Sequence, residues 1–452
     1  MHPASGSPFF DKSRGELRRH LCLSASTGTD SRKRQVGIRK ETALQTDFQW
    51  YVGIAWASKK HRIYVMDAQG KRLGHRWIDH DGKGMKELVD WLHTFCGDHH
   101  EQMAVAIEVP HGALVETLVE QHFAVFSINP KQLDRFRDRY SPAGAKDDER
   151  DAMVLDDSLR TDRHCFRLVR LAPADILRLR ELSRLEESLG KQRQRLENQL
   201  WDLARRYYPQ LLQLCSTPDE PWLWDLWEAA PLPAQAAQLS MSKITRILKQ
   251  HRIRRVDTAE VHQILAAPAL RLAPGAAEAA SEHALVLLPV LRLLHRQEAE
   301  VIQRVASLLE ELATAEGESN EHRDAAILLS LPGVGRKVTA TVLSEAYQAI
   351  AERDYHGFRQ QGGVAPVTRR SGNKTVRLMR YACSYRLRNA MHHWAAGSML
   401  KDPRSQQIYQ QKRAAGKSHS RALRGLGDRL VDVLFSMLRH HAVFDPQRRA
   451  AA

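Results

Sequence analysis

The chain has 452 residues and carries 68 Lys and Arg against 53 Asp and Glu, a formal net charge of +15 that points to a polyanion as partner. At roughly 100 to 200 residues per domain this length gives two to four domains, and 43% hydrophobic with 27% charged residues excludes a chain disordered throughout. Five widely spaced cysteines with no C-x-x-C pair exclude a disulfide scaffold and a zinc ribbon, and read as reduced thiols of a cytoplasmic protein.

Residues 1–47 mix Ser, Thr, Gly and basic residues without a hydrophobic period and read as a disordered basic extension, with no signal-peptide pattern. From Tyr51 the texture changes. Tyr51 to Ala57, Arg62 to Met66 and Leu73 to Trp77 read as three short strands of an antiparallel meander. A helix (Lys83 to Phe95), an apolar strand (Met103 to Val109), a helix (Ala113 to His122) and a strand (Ala124 to Ile128) follow, which predicts a mixed sheet flanked by helices. Hairpin strands leading into βαβ units are the order of a ribonuclease-H-like fold, so residues 48–172 are expected to form an α/β domain.

From about Pro173 the strand signals vanish. Ile176 to Tyr208 and Ala284 to Ala315 place leucines and valines at helical spacing among many charges, with a kink expected at Pro289. Residues 173–322 therefore read as a helical spacer whose long helices pair as an antiparallel coiled coil, within one chain or between two. No segment approaches the ~20 apolar residues of a membrane span. Residues 323–452 read as a further, mostly helical domain, with a Gly/Pro-rich loop over Gly362 to Gly372.

Phosphodiester chemistry with metal ions needs clustered carboxylates, because divalent ions are held by hard oxygens. Glu108 closes the apolar run Met103 to Ile107 and reads as a metal ligand at a strand end or as a solvated glutamate. Asp148 and Asp151, three apart in K-D-D-E-R-D-A, share a face at the start of a helix, where they suit magnesium or simply the helix dipole. Pro332-Gly333-Val334-Gly335, with Arg336 and Lys337 beyond it, resembles a helix-hairpin-helix turn whose amides meet a phosphate; a plain αα-corner has the same glycines.

Ser371 lies among Arg369, Arg370 and Lys374, a nucleophile beside cations or a Ser-Gly turn in a nucleic-acid-binding loop. Arg377, Arg380, Arg386 and Arg388 continue the basic set, interleaved with Tyr381, Tyr385, His392, His393 and Trp394, a mixture that neutralises phosphates and stacks on bases.

In this order, with a long helical spacer between them, these motifs resemble one family: the DEDD transposases of bacterial insertion sequences that use a bridge RNA, relatives of the Piv-type DNA invertases. The resemblance covers nearly everything after residue 50. Its G-I-D-W-A strand corresponds to Gly53-Ile54-Ala55-Trp56-Ala57, its strand-end glutamate to Glu108, and its K-T-D-x-x-D-A to Asp148 and Asp151. Its C-terminal motifs correspond to Leu328 to Gly335 and to Gly363 to Gly372.

The resemblance implies a RuvC-like domain using magnesium and a serine, here Ser371, that attacks the DNA backbone to form a phosphoserine link. It also implies double-stranded DNA and a structured guide RNA as partners, self-association to a dimer or tetramer that shares composite active sites, and a nucleoid-associated cytoplasmic location when DNA is bound. One departure stands out: the first acidic position is Ala55, which implies an impaired or inactive enzyme. Asp67, at the end of the next strand, leaves the motif position and is not expected to substitute. Two other readings keep the same residues: a non-catalytic RNA- and DNA-binding relative, and a RuvC-like Holliday-junction resolvase in which Ser371 is dispensable.

Overall fold

The computed structural model describes residues 47–140, 147–314 and 320–451, in two compact units divided after Leu171. The predicted basic extension, with Cys22, lies outside the described residues apart from Asp47, as does Lys146 of the acidic motif.

The first unit is an α/β sandwich on a six-stranded mixed sheet. Its elements are β1 (Trp50–Ala55), β2 (Lys60–Asp67), β3 (Arg72–Asp79), α1 (Gly82–Cys96), β4 (Met103–Ile107), α2 (Ala113–Glu120), β5 (Ala124–Ser127), α3 (Pro130–Tyr140), α4 (Asp148–Asp162) and β6 (Arg167–Leu168). The strand order is β3-β2-β1-β4-β5-β6. The first three strands pair antiparallel, β1, β4 and β5 run parallel, and β6 is antiparallel at the far edge.

Every residue of β4 is buried, as a central parallel strand covered on both faces requires. On one face Val52, Ile54, Ile63 and Val65 pack under Leu88 and Leu92 of α1 and Leu114 and Leu118 of α2. On the other, Tyr51, Ala106 and Phe126 pack under Leu133 of α3 and Leu155 and Leu159 of α4. Gly53 lets α4 lie directly on β1, because a Cβ there would sit 1.9 Å from the Ala152 carbonyl oxygen. Asp81 caps α1 by accepting from the Gly84 amide at 2.7 Å, and Asp147 caps α4 by accepting from the Arg150 amide at 2.8 Å.

The second unit is mostly helical. Helices α5 (Ala174–Tyr207) and α11 (Ala276–Thr314) lie antiparallel within the one chain: Leu179 shares a core with Leu308 and Leu312, while Leu203 shares another with Leu288 and Leu291. Helix α11 continues through Pro289 as a single element, so the expected kink does not divide it. Five short helices pack on one end of the pair: α6 (Gln210–Leu214), α7 (Pro221–Ala229), α8 (Pro233–Ala236), α9 (Met241–Gln250) and α10 (Thr258–Leu265). Trp222, Trp224 and Trp227 of α7 form the centre of that core.

At the other end follow α12 (Asn320–Ser330), α13 (Arg336–Glu345), α14 (Tyr347–Ala351), α15 (Tyr355–Gln361), β7 (Val367–Ser371), β8 (Lys374–Leu378), α16 (Tyr385–Lys401), α17 (Pro403–Ala414), α18 (His419–His440) and α19 (Pro446–Ala451). Residues 173–322 and 323–452 share a core, in which Leu179 and Val305 join Trp394, Leu430 and Phe435. The segment read as a Gly/Pro-rich loop runs instead into an antiparallel β7–β8 hairpin, closed by the two-residue turn Gly372-Asn373. Gly372 takes φ +54° at that turn, the backbone region such tight hairpins need.

Candidate functional site

In the sheet unit the predicted acids converge on the carboxyl end of the parallel strands, where open α/β sheets place their ligands. Ile54 pairs with Ile107, so Ala55 and Glu108 follow one step further at the same end of neighbouring strands. Helix α4 crosses β1 and brings its first turn to this end, with Asp147, Asp148, Glu149 and Asp151.

The acids do not stand alike. Asp148 is exposed and makes no ion pair among the described residues, whereas Asp151 is buried and both its oxygens are taken by Arg137 of α3, Nη2 donating to Oδ2 at 3.0 Å. The same guanidinium meets Asp134. Burial works against its charge, but Asp151, Asp134 and the nearby Glu108 more than offset this. Glu149 is held in turn by Arg62 and by His75, the latter at 3.0 Å. Arg62 is the β2 residue opposite Ala55, is almost fully buried, and lies over the Trp77 ring at 5.2 Å. Asp67 is at the far end of β2, opposite Trp50, where its carboxylate accepts from the Gln69 and Lys71 amides, so it cannot replace an acid at residue 55.

Glu108, Asp148 and Asp151 offer only hard oxygens, a donor set that suits magnesium. Among the described residues, however, no three acidic, histidine or cysteine side chains converge as a ready metal-holding group. Asp151 explains part of this, since Arg137 and a divalent ion compete for the same oxygens.

Sequence reasoning passed over Arg62, Arg137 and Asp156. Asp156 on α4 is completely buried, and among the described residues neither carboxyl oxygen makes a well-formed hydrogen bond. Burial above all, and then the charge of Asp157, push its pKa well above the usual carboxylate range; Arg160 and the Met66 backbone act the other way. The only sequence signal was an Asp four residues beyond Ala152, on the helix face that Gly53 admits.

In the helical unit Ser371 is the last residue of β7, exposed beside the turn and paired in register with Lys374. Arg369, Arg370, Lys374 and Arg377 are all exposed on the hairpin and have no ion-pair partner among the described residues. Arg380 is partly buried, and its Nε donates to the Ala365 carbonyl at 3.3 Å. Tyr381 and Tyr385 are 79% and 60% exposed, and the Arg388 guanidinium lies 5.0 Å from the centre of the Tyr385 ring.

Other members of the predicted basic and aromatic set are structural. Trp394 is fully buried in the core, so it cannot stack on a base. Arg386 is committed to Glu187 and Glu345 at 2.6 and 2.7 Å. Burial, aided by the charges of His393, His419 and Arg424, lowers the pKa of His392. In the Pro332 to Gly335 turn, Gly333 takes φ +78° and packs against α16, where a Cβ would fall 2.2 Å from the Ser398 amide nitrogen, while the Ser398 hydroxyl donates to the Pro332 carbonyl. Gly335 precedes α13 and is open to solvent, Arg336 pairs with Glu310 at 2.9 Å, and Lys337 pairs with Glu186 at 3.0 Å.

Two family models match the chain. Residues 52–209 match a transposase family of the DEDD IS110 type, and residues 325–410 match the transposase IS116/IS110/IS902 family. The mini-circle putative transposase for IS117 of Streptomyces coelicolor is 32% identical over 413 residues, 89% of this chain and 96% of that protein. The putative transposase y4uE of Sinorhizobium fredii is 46% identical over 208 residues, 46% of this chain and 58% of its own length. The insertion element IS900 uncharacterized 42 kDa protein of Mycobacterium paratuberculosis is 25% identical over 414 residues, 89% and 98% of the two chains.

Proposed function

The chain belongs to the IS110/IS116/IS902 family of insertion-sequence transposases, and from that membership we propose a DNA recombinase that joins strands through a phosphoserine intermediate under the direction of an element-encoded RNA. The observation that carries this reading is Ser371 at the exposed tip of a hairpin whose four cations, unpaired among the described residues, suit a DNA backbone. The Ser371 hydroxyl forms an ester with the scissile phosphate, and the severed strand leaves with a free hydroxyl. One phosphoester is thus exchanged for another, and rejoining needs no external energy.

The sheet unit is read as RuvC-like, supported by its strand order and by the convergence of Glu108 and the start of α4 at the carboxyl end of the parallel strands. Glu108, Asp148 and Asp151 are the residues that would hold magnesium, which when bound supplies charge neutralisation at the phosphate. The chain's own part there is to fix the position of Asp151 against Arg137 and to hold the α4 turn on β2 through Arg62 and Glu149. Ala55 leaves the first acidic position without a carboxylate, so this chain is proposed to bind nucleic acid and to cleave poorly. Self-association to a dimer or tetramer belongs to the same proposal.

The test is covalent capture of DNA by the chain, by Ala55→Asp, and by Ala55→Asp combined with Ser371→Ala, each with flanking-element RNA, target DNA and magnesium. A denaturation-resistant adduct in Ala55→Asp alone is expected. An adduct that survives Ser371→Ala would remove the serine from the chemistry, and tight binding with no adduct in any version would leave a non-catalytic binding protein.

A further inference from the structure

The segment from Tyr355 to Lys401 contains nine Lys and Arg and not one Asp or Glu. Four of the nine stand on the β7–β8 hairpin, away from any core and without a counter-ion among the described residues. A two-stranded ribbon alone in water is marginally stable, so a ribbon bare on both faces is a surface awaiting a partner.

The register divides its side chains cleanly. Thr368 pairs with Arg377 and Arg370 with Thr375, while Val367 pairs with Leu378, Arg369 with Val376 and Ser371 with Lys374. Because successive residues of a strand point to opposite faces, Arg370 and Arg377 share one face with two threonines. Arg369, Lys374 and Ser371 share the other with Val367, Val376 and Leu378. Each face therefore presents two cations, and the serine lies on one face only.

We propose that this hairpin is a β-ribbon that enters the major groove of duplex DNA, its two faces meeting the two phosphate walls: Arg369 and Lys374, beside Ser371, on one and Arg370 with Arg377 on the other. The dimensions agree. Five residues at about 3.4 Å each make a ribbon about 17 Å long, and the B-form major groove, about 12 Å wide, admits a two-stranded ribbon. Diagonal neighbours such as Arg370 and Arg377 lie about 7–8 Å apart, a span of about two phosphates at one per 3.4 Å of axis along a strand. The deep, narrow major groove of A-form RNA does not admit such a ribbon, which makes DNA the partner. The proposal rests on the reading of the chain as a DNA-binding transposase and adds which groove is entered and by which faces.

The experiment uses the full chain, a mixed-sequence DNA duplex, the same sequence as duplex RNA, and a salt titration of binding followed by fluorescence anisotropy. Removing two phosphate contacts in Arg370→Gln/Arg377→Gln should flatten the plot of log affinity against log salt on DNA by about 1.8, at about 0.9 per phosphate. Over a roughly fourfold rise in salt that variant then loses about tenfold less affinity than the parent. Arg369→Gln/Lys374→Gln should flatten it equally, and Arg370→Lys/Arg377→Lys, which keeps both charges, should leave it unchanged. All these side chains are exposed, and an unaltered melting curve verifies folding.

Methylation of guanine N7, which lies in the major groove, should weaken binding of the parent and have little effect on the double glutamine variants. An unchanged slope, an equal flattening on RNA, or indifference to N7 methylation would each overturn the groove assignment while leaving the transposase reading intact. Failure of the parent chain to bind DNA at all would overturn both.

Discussion

Replacing Asp156 by Asn should stabilise the sheet unit increasingly as pH rises. In the folded chain this carboxyl is completely buried and makes no well-formed hydrogen bond among the described residues, and its pKa is pushed well above the usual range. In the unfolded chain it titrates near the ordinary Asp value of about 3.9. Between those two values the folded state holds a proton that the unfolded state has released, so stability falls as pH rises. It falls by about 1.4 kcal/mol per pH unit and stops falling only when the buried group itself ionises. Below about pH 3.9 both states are protonated and the loss vanishes.

Asparagine has nearly the same shape and no proton to release, so it leaves the burial cost of a neutral polar group and removes the slope. The two proteins should match near pH 4, and the asparagine variant should then gain about 1.4 kcal/mol for each pH unit over which the folded carboxyl keeps its proton. Urea unfolding at a series of pH values, read from hydrogen exchange in β1 and α4 peptides so that the sheet unit is followed by itself, measures this difference. Parallel stability curves for the two proteins across that range would refute the assignment of a protonated, unpartnered Asp156.

Gly53→Ala should cost more than the ~1–3 kcal/mol of ordinary overpacking, since its Cβ meets backbone atoms of α4 at 1.9 and 2.6 Å; thermal melting of the sheet unit reports it. Arg353→Ala should destabilise the helical unit by about 3–5 kcal/mol, because Asp324, 1% exposed, loses the guanidinium that meets both its oxygens at 2.6 and 2.8 Å. Adding Asp324→Ala should recover part of that loss in urea midpoints. Arg137→Gln should tighten Mn2+ binding measured by calorimetry on the order of tenfold or more, because a competing cation about 4 Å away weighs several kcal/mol at a surface-like dielectric. Unchanged affinity would remove Asp151 from the metal-holding set.

The family and the order of elements were legible because each rests on local pattern. Met103 to Ile107 is a continuous apolar run, the spaced leucines of α5 and α11 mark helices, and the glycine and proline motifs sit at fixed offsets. The β7–β8 hairpin was missed because its strands carry cations on both faces and bury nothing, so period-two hydrophobic alternation is weak. Its one signal was the Gly372-Asn373 turn between Thr- and Val-bearing flanks. Trp394 was misread in the opposite sense, as a stacking residue among cations, because sequence spacing does not reveal that α16 turns it into the core.

The long-range arginines were invisible for a stronger reason. Arg62 meets Glu149 across 87 residues and Arg137 meets Asp151 across 14, and no local pattern encodes such partners. Those partners also change the meaning of Ala55. Two of the acids in the first turns of α4 are already neutralised by guanidinium groups, and the residue facing Ala55 across the sheet is one of these two arginines. A carboxylate at residue 55 would therefore arrive beside a buried cation that is partly unsatisfied, since Arg62 Nε has no hydrogen-bond partner among the described residues. An aspartate there gains an ion pair as readily as a metal, and Glu149 then competes with it for the same guanidinium. The methyl group of Ala55 and the buried charge of Arg62 thus form one unit: the sheet end that lacks a carboxylate holds its arginine through α4 instead, and the activity that Ala55→Asp recovers is set by how Arg62 divides itself between that aspartate and Glu149.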